Sequence, residues 1–336
     1  MSKILLKGGR LEIPAVEAVA RICDALKRSG CPGDTAIKVA EHLADASLCG
    51  VESHGLMRVL QYVEQFESGY IKADALPVFR QSKSGSYEVD GQGGIGIPAM
   101  ELAMNHGCKI AKTNGISAIA VRHAGHTGRL GAYAEQAAEE GYMIIILGGG
   151  NRKSWRQVAP FGGRKAILPT NPYCIGIPGG EHGPVILDFA TAKIAGGWIY
   201  AARSAGAQLP EGVMIDNEGR PSTDPEDYYE GGALLPAGGA KGYALGLVAE
   251  LVAEAMLGPA TTECNWLMIT LDTADYRDPS TIRSVAEEIL AECRRCPPMP
   301  GVDRVEIPGE RERVHKAVSN GVISVPEETW KQILAL

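Results

Sequence analysis

The sequence predicts an α/β protein of the α+β kind, and three of its features carry that prediction. Its first third repeats apolar residues at helical spacing, its middle alternates strand-like and helix-like runs, and from Ala166 short apolar runs are punctuated by Gly and Pro. The last pattern favours antiparallel strands joined by turns. With 336 residues, 45% hydrophobic and 22% charged, the chain can bury a sizeable core, as one large domain or two ordinary ones. Its 42 glycines exceed the usual share of about 7% and mark tight turns or close backbone approaches.

In chain order, residues 14–28 place Val16, Val19, Ala20, Ile22, Cys23 and Leu26 at helical spacing and stop at Gly30. Asp34 offers a cap for a second helix through Leu48, ended by Gly50. A third helix covers 56–68, so the polar stretch Glu52-Ser53-His54-Gly55 connects two helices. Residues 86–90 read as strand, 98–112 as helix, 116–122 as strand, 130–140 as helix and 142–147 as strand. Beyond Ala166, 184–189 is the clearest strand. Helices follow at 193–203 and 239–257, then a strand at 266–271 and helices at 280–295 and 326–336. No internal repeat or low-complexity linker is present, so any domains interleave.

Composition excludes some functions. Thirty-three basic and 40 acidic residues leave a formal charge of −7, which disfavours nucleic acid and anionic membranes as partners. No run approaches the ~20 apolar residues of a membrane span. The greasiest helix, 243–257, is interrupted by Glu250 and Glu254. Residues 1–7 hold too few apolar residues for a secretory signal. The eight scattered cysteines then read as reduced thiols, and a cytoplasmic location is expected.

Several motifs could carry chemistry. Gly91-Gln92-Gly93-Gly94-Ile95-Gly96 meets the dinucleotide spacing G-x-G-x-x-G between a strand and a helix. The following strand ends Val121-Arg122-His123 without the acid that would hold a ribose, so a glycine loop of other purpose is expected. His54 and His126 lie in glycine-flanked loops, and histidine exchanges protons near neutral pH. A loop histidine is often merely structural, but Arg58 and Tyr62 stand four and eight residues beyond His54 on one helix face. A proton donor beside a guanidinium fork suits a 2-oxo acid, whose carboxylate the fork can clamp. His123 and His126 lack further ligands at metal spacing, and no metal is expected. Cys293 and Cys296 form a C-x-x-C with no second pair. Gly238-Gly239-Ala240-Lys241-Gly242 opens a helix but has Gly242 where a P-loop needs Ser or Thr. Such a turn can still receive a ligand's phosphate. Asp188, ending an apolar strand, is either a cap ahead of Lys193 or a buried partner for a base. Arg152, Lys153 and Arg156 read as a solvated basic loop, or as a site for a second anion or a 2′-phosphate.

The run 44–55, with Arg58 and Tyr62, resembles the signature of the malate/L-lactate dehydrogenase family, whose members are NAD(P)-dependent and distinct from Rossmann-type lactate and malate dehydrogenases. The resemblance continues through Gly125-His126-Thr127-Gly128, Thr170-Asn171-Pro172, 187–191, 235–242 and 308–311, in family order. It implies a non-Rossmann cofactor domain on a largely antiparallel sheet, a helical region from both chain ends, and a homodimer. The domains expected on that basis are 1–85 with 310–336, helical and on the substrate side, and 86–309, binding NAD(P), with an inserted subdomain at about 120–185. The glycine run at Gly91 is thereby expected to be a turn.

The resemblance further implies that His54 is the general acid, with Asp188 orienting it and Ser53 alongside, the histidine at His126 being the alternative donor. Arg58, Tyr62 and His126 would contact a small carboxylate substrate. NAD or NADP, with NADPH the favoured of the two, would lie across Thr170, Asn171, the turn from Pro178 to His182, Ala190, Thr191, Gly238, Gly239 and Lys241, with Arg311 at the adenosine end. The implied reaction interconverts a 2-oxo acid and a 2-hydroxy acid; the alternative is reduction of a cyclic imine carboxylate. The chain departs from the family where many members read Ser-Asn-His-Phe-Gly, having Ala124-Gly125-His126-Thr127-Gly128 and no aromatic ring. A methyltransferase using the Gly91 loop and a non-catalytic binding protein are the readings from other classes. Retention of His54 and Asp188 argues against the latter.

Overall fold

The computed structural model describes residues 9–336; the segment 1–7, read above for a leader, lies outside the described residues. From the amino end the elements are β1 (Arg10–Pro14), α1 (Ala15–Arg28), α2 (Gly33–Leu48), α3 (Arg58–Glu67), β2 (Val78–Gln81), β3 (Tyr87–Gly94), α4 (Gly96–Asn114), β4 (Ile116–Ala124), α5 (Leu130–Glu139) and β5 (Tyr142–Gly149). They continue as β6 (Pro172–Gly180), β7 (Gly183–Ala190), α6 (Gly196–Ala205), β8 (Met214–Ile215), β9 (Pro221–Ser222), α7 (Pro225–Tyr229), β10 (Ala233–Leu234) and α8 (Ala240–Glu250). The last are β11 (Cys264–Asp272), α9 (Pro279–Arg294), α10 (Glu310–Val318), β12 (Val322–Pro326) and α11 (Glu327–Ala335). Every long periodic run of the sequence is thus an element of the expected type.

The chain divides into two compact units. The first comprises Arg10–Ile146, Cys174–Asp188 and Leu267–Leu336, and the second Leu147–Tyr173 and Phe189–Trp266. In the first unit, β1 and β12 pair antiparallel, Arg10 opposite Pro326 and Pro14 opposite Val322, which ties the two chain ends together. Ile22 and Leu26 of α1, Leu43 of α2, Val59 and Tyr62 of α3, and Trp330 and Ile333 of α11 share one core. Each such aliphatic side chain contributes about 1.5–3 kcal/mol on burial. Val16, counted in the α1 stripe, is instead 83% exposed. Ile95 and Ile97, beyond β3, belong to the same core as the helices. Positions 85/86 and 309/310 both lie within this unit, where α4 shares the core of the amino- and carboxyl-end helices through Ile95 and Ile97.

The main sheet runs β2-β3-β4-β11-β5-β6-β7. β2 and β3 are antiparallel and β3 and β4 are parallel, with α4 as the crossover, so the sheet is mixed. The glycine run expected as a turn is the end of β3, where Gln92 and Gly93 take positive φ and the register slips between Asp90 and Gly94. Asp34, expected as a cap, sits inside the first turn of α2, which starts from Pro32 with no side-chain cap. There its charge still complements the helix dipole.

The second unit holds a three-stranded antiparallel sheet, β10-β8-β9, over a core of Val158, Leu168, Ile199, Met214 and Leu234. The helix expected over 239–257 is α8 followed by a π-helical turn, Leu251–Met256.

Candidate active site

Two loops of the first unit bring histidines together. After α2, Glu52–His54 forms a 3₁₀ turn. Gly55 must be glycine here, since a Cβ would fall 2.1 Å from Ser47 Oγ, the acceptor for Leu56 N–H. The turn presents His54 with Nδ1 2.9 Å from Ser53 Oγ. Arg58 Nε donates to Ser53 O at 2.6 Å, and another of its guanidinium nitrogens donates to Gln61 Oε1.

The second loop, 125–129, is seated by the glycines of the apparent dinucleotide motif. Gly125 N–H donates to Gly94 O and Gly96 N–H to His126 O. A Cβ on Gly96 would lie 2.3 Å from Gly125 O, and one on Gly91 would lie 2.7 Å from His123 O. The space that a pyrophosphate would need is filled by the chain's own backbone, and the glycines serve close packing of the His126 loop.

His126 lies 5.2 Å from His54 between ring centroids. Its Nδ1 meets Tyr62 Oη at 2.7 Å and accepts Gly128 N–H at 3.3 Å. A backbone N–H can only donate, so this nitrogen carries no proton, Tyr62 donates to it, and the ring proton is on Nε2. Burial, then the Arg58 charge, holds both imidazoles far below the usual range, His54 to about 3. Both are therefore neutral at neutral pH. Tyr62 is fully buried and its hydroxyl faces His126, whereas Arg58 is half-buried.

Asp188, at the end of β7, accepts Gly131 N–H at 2.7 Å. Neither the cap of a following helix nor a hydrogen bond to His54 involves it among the described residues. Desolvation by the atoms packed around the carboxyl raises it to about 6, against the pull of Gly131 N–H and Arg129, although the residue's outer surface is exposed. What links Asp188 to the histidines is the start of α5, which it holds at Gly131 and from which the His126 loop leads back.

Two further residues, His42 and Arg129, carry no signal in the sequence. His42 on α2 accepts Arg129 N–H at 2.9 Å. Arg129, 6% exposed, pairs with Asp45 at 2.8 Å, and Asp45 also receives Lys316 at 2.7 Å. These partners stand far apart in sequence and no spacing rule joins them.

The residues expected to hold the cofactor are divided between the units. Pro178 is half-buried in β6, His182 is exposed on the β6–β7 turn, and Arg311 is exposed and paired with Glu312 at 2.7 Å; all are in the first unit. In the second unit Thr191 donates by N–H and Oγ1 to Thr170 O, and Ala190 beside it is half-buried. Asn171 is 1% exposed, and its amide donates to Gly246 O and Glu250. Glu250 also accepts Gly150 and Arg152 N–H, so this pair fixes the loop 149–152. Arg152 is further held by Glu254 at 2.8 Å, which ties down the first cation of the basic run.

Gly238 and Gly239 differ from the packed glycines of β3. Both have positive φ, a Cβ on Gly238 would meet nothing within 4 Å, and one on Gly239 only Phe161 at 3.4 Å. They open α8 with Lys241 exposed in its first turn. An open-faced glycine turn at a helix N-terminus, with a lysine, fits the phosphates of a nicotinamide dinucleotide. Gly242 is required for packing, since a Cβ there would lie 2.0 Å from Ala237 O.

His123 and His126 turn to different partners, His123 Nδ1 to Asp90 at 3.2 Å. No group of three or more potential metal ligands occurs among the described residues. Cys293 and Cys296 are exposed free thiols. No helix among the described residues is long and apolar enough to cross a membrane.

Comparison with known proteins follows the same lines. The family model described as malate/L-lactate dehydrogenase matches residues 13–334. The chain is 37% identical over 248 residues to the Delta(1)-pyrroline-2-carboxylate/Delta(1)-piperideine-2-carboxylate reductase of Pseudomonas putida, covering 74% of this chain and 72% of that one. It is 31% identical over 338 residues to an L-lactate dehydrogenase of Cupriavidus necator, covering 96% of each. The solved sulfolactate dehydrogenase of Methanocaldococcus jannaschii superposes with a TM-score of 0.85 at 30% identity, covering 96% of this chain and 95% of that one.

Proposed function

We propose, for a chain that belongs to the malate/L-lactate dehydrogenase family and is an NAD(P)-dependent oxidoreductase of CH–OH or CH–NH groups, that the substrate is a small 2-oxo acid, reduced to the 2-hydroxy acid and formed again in reverse. The observation that carries the mechanism is the different partner at each histidine's Nδ1. Ser53 Oγ can donate or accept, so His54 keeps its bond whether neutral or protonated. Gly128 N–H can only donate, so His126 cannot take a proton on Nδ1 without losing that bond. His54 is thus the group that exchanges a proton with the substrate, and His126 a fixed donor through Nε2 that polarises the reacting oxygen.

Arg58, with Nε committed to Ser53 O, offers its Nη2 edge to the substrate carboxylate. An anion bound there offsets the guanidinium charge, which adds to burial in holding His54 neutral, and so raises its affinity for the proton it must deliver. The nicotinamide, when bound, supplies the hydride; the chain supplies orientation, the clamp and the proton. Asp188 holds the first turn of α5 at Gly131, just beyond the loop that presents His126.

NADP(H) is the proposed nucleotide of the two, supported by Lys153 and Arg156 in the exposed basic run. A homodimer is supported by the exposed apolar stripe Leu247, Val248, Leu251 and Met256, and a cytoplasmic location by eight free thiols. Similarity to the Pseudomonas putida reductase favours a second reading, in which the substrate is a cyclic imine carboxylate and His54 protonates nitrogen. Oxidation of NADH and NADPH, followed by absorbance against pyruvate, oxaloacetate, larger 2-oxo acids and both cyclic imines, separates the two. Turnover of open-chain acids supports the first, and turnover confined to the imines replaces it with the second.

A further inference from the structure

We propose that His42 is a positioning residue for the reaction, acting through the loop that carries His126. The inference rests on the reading of His126 as the fixed donor to substrate. Three successive residues of that loop are each held. Tyr133 Oη donates to Thr127 O at 2.7 Å. Gly128, at φ +69°, lies against the His42 ring so closely that a Cβ would fall 2.2 Å from His42 Nε2. Arg129 N–H donates to that same Nε2 at 2.9 Å. The His42 and Tyr133 rings stack, with centroids 5.1 Å apart and planes at 27°, so α2 and α5 grip the loop as one clamp.

The consequence falls on His126. Its Nδ1 receives Gly128 N–H at 3.3 Å, a long hydrogen bond that a small movement of the loop would break. With the bond broken, the Tyr62 hydroxyl can turn from donor to acceptor, Nδ1 could take the ring proton, and Nε2 would lose its donor role. Among the described residues His42 makes no hydrogen bond to His54, Arg58 or His126. The charge by which it would lower both histidines is absent while it is neutral, so near neutral pH its influence passes through the backbone of 127–129. Burial, then the Arg129 charge, keeps His42 down at about 4, so its Nε2 remains an acceptor at neutral pH.

The test uses the full chain labelled with ¹⁵N-histidine, with imidazole proton–nitrogen correlation spectra assigned through His126→Gln. Wild type is expected to show His126 protonated on Nε2 alone. His42→Phe keeps the ring but removes the acceptor. It should mix the two His126 tautomers and lower kcat by roughly 10–100-fold with the nucleotide KM unchanged. His42→Gln, whose Oε1 can accept Arg129 N–H, should recover most of both. A wild-type spectrum and kcat in His42→Phe, or no recovery in His42→Gln, would overturn the proposal. Should His42→Phe not fold, Tyr133→Phe removes the other arm, with the same tautomer mixing and a loss of about 3–10-fold expected; no change in either readout would again overturn it. The spectra need no turnover. A chain silent on the whole substrate panel would count against the substrate reading, and the tautomer would still decide the role of His42.

Discussion

Two loops are held in place by the same device with different chemistry. In the first unit, 127–129 gives a backbone N–H to the neutral imidazole of His42. In the second, 149–152 gives two backbone N–H groups to the carboxylate of Glu250, which Asn171 also contacts. A carboxylate is the stronger acceptor, since hydrogen bonds to charged groups exceed neutral ones about twofold. Beside His54 and His126, however, a carboxylate would add a negative charge that draws protons onto both rings and opposes an anionic substrate. The first unit thus uses a neutral acceptor beside its proton chemistry, and the second a carboxylate on a loop that carries no histidine.

The largest effect should come from removing the charged acceptor. Glu250→Leu leaves Gly150 N–H, Arg152 N–H and the Asn171 amide without it, and should cost about 3–5 kcal/mol in urea unfolding. A loss below about 1 kcal/mol would mean the carboxylate is dispensable. Gly128→Ala should come next, at about 2–4 kcal/mol, from the left-handed backbone and the clash with His42. Thermal unfolding indistinguishable from wild type would show that the loop does not press on that ring.

Acid should act on the first unit through its buried histidines. His42, His54 and His126 are neutral in the fold, held below the ordinary 6.5, His42 to about 4 and His54 to about 3. An unfolded chain takes up protons at all three sites first. Stability should therefore be full above about pH 6.5 and fall as pH drops, by about 1.4 kcal/mol per unit for each proton. Asp188, raised to about 6, works in the opposite sense between its unfolded and folded values. His42→Gln should shallow the acid slope by one proton, which urea titrations across that range would read. The smallest change should be Lys153→Ala, within about 0.5 kcal/mol of wild type in stability. If the basic run meets a 2′-phosphate, this variant should raise the KM of NADPH and leave that of NADH alone.

Much of the fold was legible because periodicity is local. α4 and α1 declare themselves by apolar spacing, and β5 and β7 by short apolar runs. The pairing of β1 with β12 was not legible, because two five-residue strands at opposite ends of the chain leave no spacing between them. At the site, His54, Arg58 and His126 stood out through glycine flanks and helical offsets. His42 did not, since accepting one backbone N–H imposes no pattern. Glu250 was visible only as a polar interruption of an apolar helix. The Gly91 run shows the converse failure, a motif whose spacing is met but whose open face is filled by Gly125 and His126. At Gly238, by contrast, the space above the glycine is open, as the proposed phosphate site requires.

The central claim is that His54 moves the proton and His126 does not. Its most direct test is the pH dependence of kcat, which reports the substrate-bound enzyme, for His54→Gln beside His126→Gln, on whichever substrate the panel selects. The account predicts that His126→Gln lowers the curve but keeps its ionisation limb. His54→Gln should lose that limb and fall by about 10²–10⁴. A limb that survives in His54→Gln and vanishes in His126→Gln would contradict the assignment.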